Sequence, residues 1–151
     1  MKINQLLNEV VDLGQSIHKT HGFGLPLSSY ETFFSKGLEV RGFKYSVLKP
    51  DARTFEGLYL EKDSRTYYVV GGILLIDLKS VEKVPLIQNR QVLAYLRLLN
   101  LPLGVIMNLG ARTYESGVKK ILKDFSAYVP QRYQHRIPST VSEPLNLASI
   151  A

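Results

Sequence analysis

The sequence predicts a single α/β domain in which a mixed, mostly antiparallel sheet of four or five strands is flanked by helices. Three observations predict it. The chain opens with helical apolar periodicity, continues with short apolar strands around glycine-marked turns, and then alternates helix, buried strand and helix. Its 151 residues suffice for one domain with a real core and are few for two ordinary ones.

Apolar residues at Ile3, Leu6, Leu7, Val10, Val11 and Ile17 follow the period of an amphipathic helix, and HGFG at 21–24 stops it. Ser28 followed by Glu31 has the spacing of a capping box, in which hydroxyl and carboxylate satisfy free amides. A second helix is therefore expected from Ser28 to about Arg41, before Gly42. FKYSVL at 43–48 and FEGLYLE at 55–61 are candidate strands, separated by the turn-like KPDAR. TYYVV at 66–70 and ILLIDLK at 73–79 flank Gly71-Gly72, a two-residue hairpin signal. Such a turn pairs Thr66 with Asp77 and puts Thr66, Tyr68 and Val70 on the face of Asp77. The run ILLI is apolar on both faces, which places its strand in the middle of the sheet. A helical pattern over 86–99, a buried strand over 101–108 and a last helix from Tyr114 to about Tyr128 complete the order ααββββαβα. The domain thus spans residues 1–128. The remaining segment, 129–151, has three prolines and no periodicity and is expected to be an extended tail.

Hydrophobic residues make up 45% and charged residues 21%, the balance of a globular protein rather than a disordered one. The longest apolar stretch, Val69–Ile76, falls far short of a bilayer span. The first residues, MKINQLLNEVVDL, have no continuous apolar segment, so no secretory signal is expected and the expected location is cytoplasmic. The absence of cysteine excludes disulfides, thiolate zinc sites and cysteine nucleophiles, and three histidines alone argue against zinc. A net charge of +6 suits an anionic partner. Lys119, Lys120 and Lys123, with Arg132, Tyr133, His135 and Arg136 beyond, are the candidate nucleic-acid-binding residues, although lysines on a terminal helix often form only a solvated face.

The chemistry-bearing constellation lies in the middle of the chain. Asp77 and Lys79, two apart at a strand end, project from one face, and the next helix offers Gln91 and Tyr95 one turn apart. Alone, Asp77 and Lys79 are a same-face ion pair. Together with the helix they resemble the PD-(D/E)XK nuclease superfamily, and more narrowly the GxxExxY family of small bacterial proteins. IHKTHGFGLPLSSY at 17–30 is similar to that family's histidine, glycine pair and tyrosine, which fall on His18, Gly22, Gly24 and Tyr30. ILLIDLKSVE is similar to its strand ending Glu-Leu-Lys, with Asp77 in place of the glutamate, and RQVLAYLRLLNLPLGVIMNLG at 90–110 resembles its following helix and strand. The resemblance covers roughly residues 10–122. It implies a restriction-endonuclease-like fold and metal-assisted phosphodiester hydrolysis. In that chemistry carboxylates from two strands and a helix hold Mg²⁺ or Mn²⁺, the metal activates water, and the lysine positions or deprotonates it.

The sequence departs from the family at two of those carboxylates. The glutamate expected three residues before Tyr30 is Leu27, and the aspartate expected ten residues before Asp77 is Tyr67. One carboxylate is a poor Mg²⁺ site, so the expected function is a nuclease-like, catalytically impaired domain without a metal cofactor. It would act as a nucleic-acid-binding or complex-assembly subunit, with the tail as a docking segment for a protein partner. The alternative is an active Mg²⁺- or Mn²⁺-dependent nuclease with a replacement acid at Glu31, Glu56 or Glu61. The resemblance also requires Tyr67, rather than Thr66, to share a face with Asp77, hence a bulge or a different register.

Overall fold

Helix α1 spans Ile3–His21 and α2 spans Leu27–Val40 in the computed structural model, which describes residues 2–49 and 66–123. Strands β1 (Tyr45–Leu48), β2 (Thr66–Val70) and β3 (Leu74–Lys79) follow, then helix α3 (Ile87–Leu99), β4 (Leu103–Asn108), the single turn α4 (Tyr114–Gly117) and β5 (Val118–Leu122). The expected strand at 55–61, with Glu56 and Glu61, lies outside the described residues, as does the tail with Arg132, Tyr133, His135 and Arg136.

Among the described residues the sheet has five strands in the order β1-β2-β3-β4-β5. Neighbours are antiparallel except β3 and β4, whose parallel pairing requires the crossover that α3 supplies. This is the mixed, mostly antiparallel sheet the sequence predicts. Both β3 and β4 are buried along their whole length, as strands covered on both faces must be.

The alternation of side chains divides the core into two layers. Tyr68, Val70, Leu74, Ile76 and Leu78 point toward α1 and α2. Tyr67, Leu75 and Ile106 point toward Val92, Tyr95 and Leu96 of α3. Each large aliphatic side chain taken out of water in these layers contributes about 1.5–3 kcal/mol. Gly14 allows α1 to lie against the sheet, because a Cβ there would stand 2.6 Å from Met107 Sδ and would also strike the Tyr114 hydroxyl.

Three local expectations are corrected. Helix α2 begins at Leu27 with Pro26 at its N-cap, and the Ser28–Glu31 capping box does not form. Proline lacks an amide proton and its φ of −59° suits a helix entry, while the Glu31 carboxylate is drawn to Thr66 of the sheet. The β2–β3 hairpin has a three-residue connection, Gly71–Ile73, closed by Val70 opposite Leu74. Both glycines adopt left-handed φ, +62° and +70°, and the Ile73 amide donates to the Val70 carbonyl at 3.2 Å, so Ile73 belongs to the turn. The register therefore places Tyr67 opposite Asp77 and Thr66 opposite Leu78.

The third correction is the last helix, which is one turn followed by β5. The free edge of β4 offers hydrogen bonds to Val118–Leu122, and Val118, Ile121 and Leu122 find apolar partners on the sheet. Tertiary pairing overrides a weak helical pattern here. Among the described residues no helix is long and apolar enough to cross a membrane.

Candidate functional site

The C-terminal end of β3 places Asp77 and Lys79 on the α3 face of the sheet, where Leu75 already packs against that helix. Lys79 Nζ lies 3.4 Å from Asp77 Oδ2. The pair is nearly sealed from solvent, Asp77 being 0% and Lys79 7% exposed. A buried carboxylate keeps its charge only beside a compensating cation, and Lys79 supplies one.

Two tyrosines share the layer with the pair. Tyr67, directly across the ladder from Asp77, is fully buried, and its ring lies 4.5 Å from that of Tyr95 at a tilt of 49°. Gln91 sits one turn before Tyr95 on α3, and its Oε1 is buried with no hydrogen-bond partner among the described residues. On the other side Ile106 of β4 is in register with Asp77, and Lys119 of β5 is in register with Ile106. One row across the sheet thus reads Tyr67, Asp77, Ile106, Lys119.

The chain beyond Lys79 is held by Asn108, its register partner on β4. Asn108 Oδ1 accepts from the Val81 amide and the Gly110 amide, both at 3.0 Å, and its Nδ2 donates to the Val81 carbonyl at 2.9 Å. Gly110 is required beside it, since a Cβ there would stand 2.6 Å from the Val81 nitrogen and 2.7 Å from its oxygen. The next loop is fixed to α1 by His18 Nε2, which donates to the Ala111 carbonyl at 2.7 Å, and by the Tyr114 hydroxyl, which donates to the Val11 carbonyl at 2.6 Å. Burial raises the Tyr114 phenol well above the usual tyrosine range, so it stays a neutral donor.

Between the β3–α3 loop and β5 opens a groove of about 500 Å³. Ile106 and Asn108 form part of its lining, with Pro85 and Leu86 from one side and Arg112 and Lys119 from the other.

A family model of the PD-(D/E)XK nuclease superfamily matches residues 4–121. The chain belongs to that superfamily. No curated protein and no solved structure matches it. The PD-(D/E)XK architecture explains why an acid and a lysine two residues apart end the central strand: that position carries both side chains to one face beside the crossover helix.

Within this PD-(D/E)XK domain the structure groups Asp77, Lys79, Tyr67, Tyr95 and Gln91 in the layer between sheet and α3. It sets Leu27 and Glu31 apart. Leu27 packs with the α1–α2 layer, and Glu31 Oε1 accepts from the Thr66 hydroxyl at 2.9 Å while its Oε2 lies 3.4 Å from Lys49 Nζ. Thr66 points to the opposite face from Asp77. Tyr68, beside Thr66, shares this polar edge through its bond with Ser35, and burial raises its phenol above the usual range.

The basic stretch is divided between faces and ends. Lys119 shares the face of Asp77, Lys120 lies on the other face, and Lys123 at the far end of the strand donates to Asn100 Oδ1 at 2.7 Å. Sequence reasoning missed Asn108, Gly110, Lys83 and Arg112. The only signal was the segment MNLGAR, where an asparagine and a glycine close a buried strand.

Proposed function

We propose that this PD-(D/E)XK chain is a GxxExxY-type domain that no longer cleaves nucleic acid and serves as a binding or assembly subunit. One observation carries the reading: Tyr67 faces Asp77 across the ladder, on the strand where the resemblance calls for a second metal-binding carboxylate. A phenol buried against Tyr95 fills that position with carbon. Mg²⁺ favours an octahedron of hard oxygens from carboxylates, water and phosphate. Among the described residues Asp77 has a lysine ammonium beside it and a tyrosine across the ladder where a second carboxylate would be needed, a set that does not fit the ion. Leu27 at the family's glutamate position supports the same reading. So does the engagement of Glu31 with Thr66 and Lys49, which ties up that candidate replacement acid on the other face of the sheet.

The test is cleavage of labelled single- and double-stranded DNA and RNA in Mg²⁺ and in Mn²⁺. Wild type is compared with Lys79→Ala and with the restored variant Leu27→Glu/Tyr67→Asp. Silence from wild type with activity in the restored chain supports the reading. Metal-dependent cleavage by wild type that Lys79→Ala abolishes overturns it in favour of an active nuclease. Which partner is held follows from a salt titration with and without residues 129–151. Phosphate-backbone binding weakens steeply with salt, whereas apolar docking through the tail is salt-insensitive and disappears on truncation.

A further inference from the structure

The groove beside the closed Asp77–Lys79 pair has a composition of its own. Its lining includes three cations, Lys83, Arg112 and Lys119, against one acid, Glu82. None of the three cations forms an ion pair among the described residues. They are exposed, so their charge faces the solvent of the groove. The polar groups of Asn89 and Ser116 lie beside them. The β3–α3 loop, which carries Glu82 and Lys83, also gives the groove aliphatic surface at Val84, Pro85 and Leu86, the last 81% exposed.

An exposed leucine beside a proline offers a flat apolar surface with nothing among the described residues to cover it. A volume of about 500 Å³ falls within the range of about 300–1,000 Å³ typical of small-ligand clefts. The register fixes its relation to the superfamily site. Lys119 is two strands from Asp77 on the same face, about 10 Å away at the usual strand spacing, with Ile106 between them.

We propose that this groove binds a nucleotide, its phosphate held by Arg112 and Lys119 and its base laid against Pro85 and Leu86. A guanidinium and an ammonium lining the same groove select a phosphate, and exposed aliphatic carbon beside them selects a flat, partly apolar group. A metal cation is repelled by the three positive charges, and a purely apolar ligand would leave them desolvated. The same chemistry is presented by a free nucleotide and by one nucleotide of a strand. This inference deepens the binding role proposed above, but it does not depend on the loss of cleavage: wild-type nuclease activity would sink that reading and leave the groove's affinity to be measured.

The experiment is titration calorimetry of the full chain with AMP, ATP, inorganic pyrophosphate and a short single-stranded oligonucleotide at low salt. The variants are Arg112→Gln, Lys119→Gln, Leu86→Ser and, as a charge-matched control at an exposed position of α2, Lys36→Gln. Arg112→Gln and Lys119→Gln are each expected to weaken binding by about tenfold or more, with Lys36→Gln unchanged. Leu86→Ser is expected to weaken AMP but not pyrophosphate. Binding of AMP and ATP assigns the site to free nucleotides, and binding of the oligonucleotide alone with the same variant pattern assigns it to a strand. No binding of any of these ligands, or losses equal across Lys36, Arg112 and Lys119, overturns the proposal. Capture of polyglutamate with the same pattern also overturns it, because the groove would then be one for acidic peptides.

Discussion

Tyr67 of β2 and Asp77 of β3 stand opposite one another in the central hairpin, and the Tyr67 ring packs on Tyr95 of α3. Replacing that phenol by a carboxylate is predicted to put two negative charges side by side in a nearly dry layer. Tyr67→Asp should therefore melt several degrees below wild type, since a shift of about 1 kcal/mol moves the midpoint of such a domain by about 2–8 °C. Millimolar Mn²⁺ should recover much of the loss in the variant and leave wild type unchanged. An equal Mn²⁺ response in wild type would show that Asp77 already holds the ion.

The Asp77–Lys79 pair is predicted to be structurally coupled. Lys79→Met alone removes a compensating cation from a buried carboxylate and should cost about 3–5 kcal/mol in urea unfolding. Asp77→Leu/Lys79→Met should recover most of that, because apolar replacement of both partners removes the desolvation cost. A single-variant cost below about 0.5 kcal/mol would mean that the pair behaves as a surface ion pair despite its burial.

Asn108 is predicted to matter more for stability than any pattern of hydrophobicity would suggest. It closes three hydrogen bonds around Val81 and Gly110 in a buried position. Asn108→Ala should cost about 2–4 kcal/mol, since Val81 and Gly110 lose their partners. Gly110→Ala should cost about 1–3 kcal/mol, because its Cβ meets backbone rather than a movable side chain. Denaturant midpoints with unchanged m-values would check both. A Gly110→Ala midpoint equal to wild type would show that the Ser80–Val81 segment yields.

Tyr114 links stability to alkaline pH. Burial raises its folded-state pKa above the ordinary value of 10.0. The folded chain therefore keeps this proton where the unfolded chain has begun to lose it. The resulting stabilisation is fully present below about pH 10 and is lost as pH climbs through the folded-state value. Tyr114→Phe should cost about 1–2 kcal/mol near neutrality, from the lost bond to the Val11 carbonyl. Its stability should fall less between pH 9.5 and 11 than that of wild type. Parallel alkaline slopes in the two proteins would refute the linkage.

Much of the scaffold is visible in the sequence because it rests on repetition. The apolar spacing of α1, the glycine at its end and the unbroken run of β3 each repeat one signal over several residues. The features that were misread depend on single contacts. Whether Thr66 or Tyr67 faces Asp77 turns on Ile73 joining the hairpin turn, and one residue of slip exchanges the two faces. Val118–Leu122 became a strand because β4 had an open edge, which no local pattern records. The groove escaped notice because Lys83, Arg112 and Lys119 come from separate segments that only the fold brings together.

Among the described residues the spatial order of the strands repeats their order along the chain. Each strand can therefore be added next to one already in place, and little loop entropy is lost before contacts form. The β2–β3 hairpin is the expected starting point, with β4 joining when α3 folds across it. Among the described residues a closure far apart in sequence is that of α1 on the region of Met107 and Tyr114, which Gly14 permits. Pulse-labelled hydrogen exchange should find the hairpin amides protected before those of α1, and the reverse order would refute this route. The consequence concerns biosynthesis. Helix α1, made before the strands it packs against, would be the last of these elements to find its place, and its apolar face would stay exposed until β4 and Tyr114 had been made.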